Sequence, residues 1–398
     1  MTISRQLVED ISWCWWTQPR ATRIGDVLYL GGISSDGSVF AATHDLVTGA
    51  NTRSVLAQLE PDDHNNPAVL VMPGKRPLAF YSRHDADDAL RWRIADAPDD
   101  IRSWGPERSL RFGGITTYAQ AHAVGDEVHL LTRVGDTAWG YARLADWGET
   151  WSDPSLFIAL ETDQETYMPT ALLPDGRTLR VAIAGHPKNY EQQPWHRIGA
   201  LVVDLVTGAV RRPSDDRPIA NVRTGDGLPI RGEQLEHVCD AGEGRTINLF
   251  DVGRGEVFEI GFVSKVERDE STEDARYHVA SLRGGAWCVE DVVAAGRPFG
   301  YIHAGFYVGG IAFSESAGGA AYVSREDGGR WSLERWERAA DGTWTALQVL
   351  PASATRIVRP WPVRNPTPEL EVVALALERY DDAYMETLSH LVGGAAAE

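Results

Sequence analysis

The sequence predicts an all-β protein: a single seven-bladed β-propeller domain over residues 1–398, with short N- and C-terminal extensions. Three observations lead to this prediction: a turn-plus-strand unit that recurs seven times, the composition of the recurring runs, and turn motifs typical of blades. A chain of 398 residues could also form two or three ordinary domains, but closed β-rich folds of this length often form one unit.

The recurring unit is a turn rich in Gly, Asp and Pro, followed by an apolar strand. Its seven copies are "IGDVLYLGGIS", "PGKRPLAFYSRH", "VGDEVHLLTRV", "PDGRTLRVAIAGH", "GEGRTINLFDVG", "SAGGAAYVSRE" and "TPELEVVALALE". The strands begin near Val27, Pro77, Glu127, Thr178, Thr246, Ala320 and Glu371, at intervals of 50, 50, 51, 68, 74 and 51 residues. Such a period leaves room for four short strands per unit, which is the blade of a propeller.

Local composition supports strands over helices. The recurring runs are rich in Val, Leu, Ile, Tyr and Phe and are bounded by Gly, Pro, Asp and Asn. Only "SRQLVEDI" near the N-terminus and "DDAYMETLSHLV" near the C-terminus are predicted to be helical. Two stretches, "SREDGGRW" and "LADWGETW", resemble the Asp-box turn S-x-D-x-G-x-T-W of sialidase-like propellers, which marks blades and has no catalytic role.

Charge and cysteine content narrow the function. A net charge of −19 argues against nucleic acid and anionic membranes as partners, because both are bound through basic surfaces. The three cysteines cannot all pair and form no CxxC motif, which indicates a reducing compartment. The N-terminus has acidic residues where a signal peptide is apolar, and no membrane-spanning run is present. We therefore expect a cytoplasmic monomer, unless an export signal has been removed.

Two histidines twenty residues apart suggest a site. In "PDDHNNPAVLVMPGKRPLAFYSRH", His64 precedes one apolar strand and His84 closes the next. In an antiparallel pair, the start of the first strand lies beside the end of the second, so both imidazoles are expected at one edge of a blade. In a propeller this edge faces the mouth of the central channel.

Several motifs together resemble one family. In chain order, "CWWTQPRA", "DDHNNPAVLV", "FYSRH", "TTYAQA", "LLTRVGD", "ETYMPT", "AGHP" and "YVGGIAFS" resemble the BNR-repeat propeller polysaccharide lyases, which include ulvan lyases and lyases acting on L-rhamnosyl-glucuronic acid linkages. The resemblance covers most of the chain. It implies seven blades, in agreement with the repeat count.

The resemblance also implies site residues. By motif position, the elimination site of the ulvan lyases corresponds to His64, His84, Tyr118 and Arg133. Substrate contacts are predicted for Tyr167 in "ETYMPT", Asn65 in "DDHNNP" and His186 in "AGHP". Some relatives bind a structural zinc near the last histidine through nearby cysteines. Here no cysteine follows before Cys239, so neither a metal nor another cofactor is predicted.

These residue types suit β-elimination from a 4-linked uronic acid. The C5 proton is weakly acidic because it lies next to a carboxylate, and Arg133 could neutralise that carboxylate with two parallel hydrogen bonds. A neutral histidine is a suitable base, and a tyrosine can protonate the leaving oxygen. We assign the base to His64, whose Asp and Asn neighbours can fix its tautomer, the acid to Tyr118 and support to His84, although the reverse assignment of the histidines is nearly as well founded.

Structural roles and other functions remain open at this stage. The histidines and tyrosines could be hydrogen-bonded core residues, and Arg133 could pair with Asp136 or Asp126. A glycoside hydrolase related to α-L-rhamnosidases or sialidases would need two carboxyl groups, for which the sequence offers Asp62, Asp63 and Glu165. A sugar-binding propeller without activity is the third alternative. The preferred hypothesis is a lyase acting on an acidic oligosaccharide or polysaccharide.

Overall fold

The strands form seven blades, which confirms the prediction of an all-β, seven-bladed propeller. The computed structural model describes residues 5–147, 150–162, 164–186, 197–240, 242, 245–266, 275–299, 307–315, 319–339, 341–380 and 388–395. Within these ranges the only helical segments are two short 3₁₀ helices, Asp63–Asn65 and Gly232–Gln234. No helix in the described part of the chain is both long and apolar enough to span a bilayer.

The first three blades follow one another along the chain, and in each the innermost strand comes first. After β1 (Arg5–Val8), blade 1 contains β2 (Ala21–Ile24), β3 (Val27–Ile33), β4 (Ser38–Asp45) and β5 (Asn51–Gln58). Blade 2 contains β6 (Ala68–Leu70), β7 (Leu78–Tyr81), β8 (Ala89–Ile94) and β9 (Arg108–Arg111). Blade 3 contains β10 (Thr116–Val124), β11 (Glu127–Val134), β12 (Ala138–Ala145), β13 (Thr150–Trp151) and β14 (Ser155–Ala159).

Blade 4 is the most elaborate, since two short inner strands share one neighbour and the outer part carries extra strands. Its strands are β15 (Glu165–Tyr167), β16 (Thr170–Leu172), β17 (Thr178–His186), β18 (Arg197–Asp204), β19 (Ala209–Arg211), β20 (Pro218–Asn221) and β21 (Glu236–Asp240). Blade 5 is a regular four-stranded sheet of β22 (Arg245–Val252), β23 (Phe258–Val266), β24 (Arg276–Arg283) and β25 (Ala286–Ala294).

The two ends of the chain close the propeller in blade 7. Blade 6 contains β26 (Gly310–Phe313), β27 (Ala320–Asp327), β28 (Arg330–Arg338) and β29 (Trp344–Ser353). Blade 7 contains β30 (Arg356–Thr367), β31 (Leu370–Arg379) and β32 (Leu388–Gly394), and β1 pairs antiparallel with β32 as its outermost strand. The N-terminal strand thereby completes the last blade, so this sheet does not end on an unpaired β32.

The helix predictions for the two ends of the chain are therefore wrong where the structure describes them. Arg5–Val8 and Leu388–Gly394 are strands whose residues pair across almost the whole chain, for example Gln6 with Val392. The remainder of "DDAYMETLSHLV", residues 381–387, lies outside the described residues. A local pattern of three or four apolar residues cannot reveal a partner strand so far away in sequence, and pairing at the blade edge overrides helix propensity.

Six of the seven recurring strands are the second strand of a blade, but one is not. The copy at Thr246 lies in β22, the innermost strand of blade 5. This change of position, together with the extra strands of blade 4, explains the two long intervals in the repeat.

A buried segment fills the centre of the propeller. Residues 12–20 ("SWCWWTQPR"), here called the axial segment, contact residues of all seven blades, through Ile33, Asn66, Ala119, Thr170, Leu249, Tyr307 and Arg359. Its tryptophans are almost completely buried, and the Trp16 indole N–H donates to the Leu249 carbonyl at 2.9 Å. The axial segment therefore occupies the space that blades would otherwise leave open, and the site described below lies against it.

Candidate active site

Blades 2, 3 and 4 bring the predicted residues to one end of the propeller. His64 lies just before β6 and Tyr118 near the start of β10, the innermost strands of their blades. His84 follows β7 and Arg133 is close to the end of β11, the neighbouring antiparallel strands. Because the start of one antiparallel strand lies beside the end of the next, these positions share one face. We call the end that carries them the site face.

His64 is held in a short capped turn. It lies in the 3₁₀ helix Asp63–Asn65, and Asp62 caps this helix by accepting a hydrogen bond from the His64 backbone N–H at 2.9 Å. An aspartate before the first helical residue is a favoured cap, because its carboxylate satisfies a backbone donor that the helix leaves unpaired. The same Asp62 Oδ1 lies 2.7 Å from His64 Nδ1, so one oxygen fixes both the turn and the ring.

His64 and His84 form an imidazole pair. Their rings are stacked, with centroids 4.1 Å apart and planes 10° from parallel. Asp62 bridges them: Oδ1 lies 2.7 Å from His64 Nδ1 and Oδ2 lies 2.7 Å from His84 Nδ1. The two histidines therefore share one carboxylate, and the antiparallel pairing of β6 with β7 explains why they occur at the two ends of one hairpin.

Asn65 joins this helix to the turn that carries His84. Its Oδ1 accepts a hydrogen bond from the His84 backbone N–H at 2.7 Å, and its Nδ2 donates to the Glu60 carbonyl at 3.1 Å. Because Asn65 is buried and engaged at both ends of its amide, the structure gives it a role in positioning His84. Its contact with a substrate stays a prediction.

A buried ion pair lies behind His64. Asp63 Oδ2 accepts a hydrogen bond from Arg359 Nη1 at 2.6 Å, and both side chains are completely buried. Arg359 also donates to the carbonyl of Trp13 in the axial segment. Breaking a buried pair by removing one partner leaves an uncompensated charge, so Asp63 and Arg359 tie the turn of His64 firmly to the centre of the propeller.

Two groups of described residues combine side chains that can ligate metals. They are Cys14, Asp63 and His64, and Asp62 with the imidazole pair; within each group the ligand atoms lie within 4.8 Å of one another. A metal prefers to lie in the plane of each imidazole that binds it. The two nearly parallel, stacked rings cannot both meet this condition for one ion, whereas the two oxygens of a carboxylate can serve one ring each. The arrangement fits Asp62 better than a metal.

Tyr118 adopts an unusual backbone conformation. Its φ is +63°, and it lies where the register of β10 against β11 shifts between Thr117 and Gln120. A bulky side chain in this left-handed region costs on the order of 1–3 kcal/mol, so the bulge is held by the surrounding structure. The Tyr118 ring lies 5.6 Å from the His64 ring, and its buried hydroxyl has no hydrogen-bond partner among the described residues.

Arg133 is held by aromatic faces. Its guanidinium carbon lies 4.8 Å from the centroid of the Tyr118 ring and 5.5 Å from that of Tyr167. Glu165 is the nearby carboxylate, but the closest approach, from Nη1 to Oε2, is 3.7 Å. Nη1 is buried without a hydrogen-bond partner in the described part of the chain. Neither Asp136 nor Asp126, the partners considered from the sequence, forms a described ion pair with it; Asp126 pairs with Lys75.

Tyr167 connects blade 4 to the same cluster. Its hydroxyl donates to Glu165 Oε2 at 2.7 Å, and its ring stacks on Trp16 of the axial segment with centroids 3.7 Å apart. His186, the third predicted substrate contact, ends β17, where its backbone pairs with that of Glu165. That position also lies on the site face, and the role of His186 stays a prediction.

The histidine side of the cluster favours positive charge. Burial of the His64 ring opposes its protonation, but neighbouring groups outweigh burial and raise the pKa of His64 well above its ordinary value; they are Cys14, Tyr118, Asp62 and Asp63. Burial likewise opposes ionisation of Asp62, but the charges and hydrogen bonds of the two histidines lower the pKa of Asp62 below its ordinary value.

On the other side of the cluster, the two tyrosines favour their neutral form and Arg133 favours its charged form. Burial raises the pKa of both Tyr118 and Tyr167 well above their ordinary values, so both phenols stay protonated at neutral pH. Burial opposes the charge of Arg133, but Glu165 and the two tyrosines raise its pKa. A neutral phenol therefore lies beside a permanently charged guanidinium.

The sequence located the main side chains but missed several partners. The Asp62-x-His64 spacing is a signal, because a capping aspartate reaches the residue two positions on, yet it does not reveal that Asp62 also binds His84. Glu165 was considered only as a carboxyl group for hydrolysis, whereas it accepts from Tyr167. Trp16 and Arg359 carry no local signal at all, since each meets the site from a distant part of the chain.

Comparison with known proteins shows the fold. No family model and no curated protein matches this chain. A solved ulvan lyase of polysaccharide lyase family PL25, bound to –[GlcA(1-4)Rha3S]–, has a TM-score of 0.75 at 13% identity over 98% of this chain and 96% of its own. The polysaccharide lyase Uly1 has a TM-score of 0.64 at 11% identity over 99% of this chain and 98% of its own. A putative 6-phosphogluconolactonase from Bacteroides fragilis has a TM-score of 0.51 at 14% identity over 91% of this chain and 93% of its own. The chain thus has a polysaccharide lyase-like β-propeller fold.

Proposed function

We propose that this protein is a lyase that cleaves a glycosidic bond to a uronic acid, in an acidic oligosaccharide or polysaccharide, by β-elimination. One observation carries the proposal: Arg133 Nη1 and Tyr118 Oη lie buried without hydrogen-bond partners among the described residues, next to an imidazole pair. Buried polar atoms without partners are costly, and a ligand with acceptor oxygens would satisfy them.

Arg133 is the group for the substrate carboxylate. It stays charged, and its planar guanidinium can bind both oxygens of a carboxylate. The faces of the Tyr118 and Tyr167 rings hold that plane, and Nη1 has no hydrogen-bond partner among the described residues, since Glu165 Oε2 stays 3.7 Å away. Neutralising the carboxylate lowers the barrier to removal of the C5 proton, because negative charge develops on the carboxylate in the transition state.

The imidazole pair and Tyr118 supply the two proton transfers. A neutral imidazole takes the C5 proton, and the electron pair of that C–H bond forms the double bond between C4 and C5. The bond from C4 to the glycosidic oxygen breaks, and Tyr118, a protonated phenol, gives its proton to that oxygen. The reaction consumes no water and needs no cofactor.

The substrate class follows from the site and is supported by the comparison. The Nη1 group of Arg133, which has no hydrogen-bond partner among the described residues, suits an anionic group of the substrate. The imidazoles and the phenol suit an acidic carbon beside a leaving oxygen, as in a 4-linked uronate. The similar ulvan lyase binds a chain of glucuronic acid and sulfated rhamnose. That similarity lies in the fold, and the substrate panel described below identifies the uronic acid and its leaving-side sugar.

Binding must be accompanied by local movement. Tyr118 and Arg133 are each 1% exposed, so a sugar can reach them only if neighbouring side chains or loops shift. His84 is the more open end of the cluster, because the flanking Arg83 and Asp85 are exposed. We therefore expect the substrate to approach along the His84 side.

Hydrolysis is less compatible with this geometry. A glycosidase usually needs one free acid and one free base or nucleophile among its carboxyl groups. Here Asp62 is hydrogen-bonded to two imidazoles, Asp63 accepts a hydrogen bond from Arg359, and Glu165 accepts one from Tyr167. None of the three is placed as an independent acid or nucleophile.

A panel of uronate-containing oligosaccharides tests the proposal. Elimination creates a conjugated double bond, so wild-type protein should raise the ultraviolet absorbance with at least one substrate, and Arg133→Ala should abolish the signal. Arg102→Ala, which removes an exposed arginine in an outer loop of blade 2, is the matched control and should keep full activity. Folded wild-type protein that releases reducing ends without any gain in absorbance would overturn the proposal.

A further inference from the structure

We infer that the site has a second subsite for an acidic group, in which Arg359 binds a carboxylate or sulfate ester on the sugar next to the uronate at the cleaved bond. The place of that group in a sugar chain rests on the proposed lyase function. Binding of an oxyanion by Arg359 does not rest on it, and it can be measured in a variant without activity.

The guanidinium of Arg359 has one edge without partners. Nη1 is engaged, since it donates to Asp63 Oδ2 at 2.6 Å and to the Trp13 carbonyl. Nε and Nη2 are buried and have no hydrogen-bond partner among the described residues. These two nitrogens form a side of the guanidinium that can bind both oxygens of one oxyanion with parallel hydrogen bonds. The pair with Asp63 therefore leaves this edge available to a ligand.

The surroundings of Arg359 match those of Arg133. The Arg359 guanidinium carbon lies 4.1 Å from the centroid of the Trp15 ring and 5.2 Å from that of Tyr380. The Tyr380 hydroxyl is buried without a hydrogen-bond partner in the described part of the chain. Arg133 likewise lies over two aromatic rings, and one of them belongs to Tyr118, whose hydroxyl has no described partner. Each arginine thus offers an oxyanion a guanidinium donor and a neighbouring phenol.

The backbone at Arg359 has an unusual conformation. Its φ is +55°, and the register of β30 against β31 shifts between Val358 and Trp361. The Arg359 backbone N–H donates to the Gly309 carbonyl at 2.6 Å, which holds the bulge in place. Tyr118 is another site residue with a positive φ at a shift of register. Bulky residues in this left-handed region are strained, and they cluster at active sites and ligand clamps.

The charges around Arg359 favour one more anion. A second buried arginine lies nearby, since Arg20 Nη1 donates to the Cys14 carbonyl at 3.0 Å, and Arg359 donates to the adjacent carbonyl of Trp13. Burial lowers the pKa of Arg20 to about 9, and the charge of Arg359 contributes to this shift, although neighbouring acidic groups oppose it. Asp63 compensates one of the two guanidinium groups, so an oxyanion at Arg359 would relieve their repulsion.

Arg359 lies beyond His64 as seen from Arg133. The centroid of the His64 ring is 5.6 Å from that of Tyr118, whose ring contacts Arg133. On its other side, His64 Nδ1 lies 2.9 Å from one oxygen of Asp63, whose second oxygen binds Arg359. A uronate held at Arg133 and His64 therefore has Arg359 in the direction of the adjoining sugar. The two arginines are 1% and 0% exposed, so both subsites need the same local movement.

Sulfate is the probe for a measurement that needs no turnover. In Arg133→Ala, sulfate should raise the melting temperature by about 2 °C over chloride at equal ionic strength, because an anion that binds only the folded protein stabilises it. Adding Arg359→Lys should remove this rise, since lysine keeps a charge for Asp63 but lacks the two-nitrogen edge. Arg180→Lys, at a buried arginine that donates to backbone carbonyls, is the matched control and should leave the rise unchanged.

A second variant guards against loss of folding. Tyr380→Phe removes one hydroxyl without a described partner, so it should keep the fold and at least halve the rise in the Arg133→Ala background. The inference is overturned if sulfate stabilises folded Arg133→Ala no more than chloride does. It is also overturned if the rise survives both Arg359→Lys and Tyr380→Phe.

A set of oligosaccharides with one cleaved uronate and a neutral, carboxylated or sulfated neighbouring sugar tests the role in substrate binding. Wild-type kcat/KM should be about 10- to 100-fold higher with an acidic neighbour, because hydrogen bonds between charged groups are among the stronger ones. The neighbour that gives the gain identifies the acidic group. Arg359→Lys should bring the ratio close to one, mainly through KM, and Arg180→Lys should keep it. A ratio that folded Arg359→Lys leaves unchanged would contradict the inference.

The outcomes separate this inference from the proposed function. Lyase activity without any preference for an acidic neighbour would overturn the second subsite and leave the lyase proposal intact. Absence of lyase activity, with stabilisation by sulfate that depends on Arg359, would overturn the lyase proposal and leave the anion-binding site intact.

Discussion

Arg133→Lys is the substitution that probes the site most specifically. Lysine keeps the positive charge but loses the planar, two-pronged geometry that a carboxylate requires. Removing one preorganised donor from a transition state costs about 3 kcal/mol, so kcat/KM should fall on the order of 100-fold. Arg133→Lys should also lower the free energy of unfolding. Arg133 makes two ring contacts, at 4.8 and 5.5 Å, and each such contact is worth roughly 0.5–2 kcal/mol, part of which lysine loses.

The assay must therefore separate activity from folding. Initial rates of double-bond formation are measured well below the melting temperature, and circular dichroism confirms that the variant is folded. Arg102→Lys, at an exposed position, provides the matched control and should change neither quantity. Full turnover by folded Arg133→Lys would refute the reasoning, since it would mean that the guanidinium does not bind the substrate carboxylate.

Four further predictions address the rest of the cluster. Tyr118→Phe should lower turnover about 100-fold or more without lowering the melting temperature, because the buried hydroxyl it removes has no described partner. His64→Ala and His84→Ala should each lower kcat about 100-fold. The double variant should lose far less than the product of the two single losses, because groups that act as a unit are not additive. Trp16→Ala should lower the free energy of unfolding by about 3–5 kcal/mol in denaturant titration, since it empties a buried site in the axial segment. The histidines lower the pKa of Asp62 in the folded protein, so the Asp62 carboxylate should stabilise the fold fully above about pH 4 and progressively less as the pH falls below that value. In thermal melts, Asp62→Asn should therefore destabilise the protein less at pH 3 than at pH 7.

The repeat predicted the blades because it reports local chemistry. Turns rich in glycine and aspartate, followed by apolar runs, recur at the second strand of six blades, so the blade count could be read from the sequence. The sequence could not show that the repeated strand of blade 5 is the innermost strand instead of the second, since the turn before β22 has the same composition as the turns of the other copies. The pairing of β1 with β32 was also hidden, because each strand is short and its partner lies at the far end of the chain.

The candidate site was predictable to the extent that its residues lie on neighbouring strands. Antiparallel pairing alone places His64 near His84, and the same rule places Tyr118 near Arg133. The bulge that turns Tyr118 to a positive φ has no sequence signature, since no glycine or asparagine marks it. Contacts such as Asp63 with Arg359, 296 positions apart, depend on closure of the whole propeller.

The most direct test of the central claim is a product analysis in water enriched in oxygen-18. Elimination transfers no oxygen from water, so the wild-type products should contain no label, their masses should sum to the mass of the substrate, and one product should carry a double bond between C4 and C5. Incorporation of one labelled oxygen, with masses that sum to substrate plus water, would show hydrolysis and contradict the account.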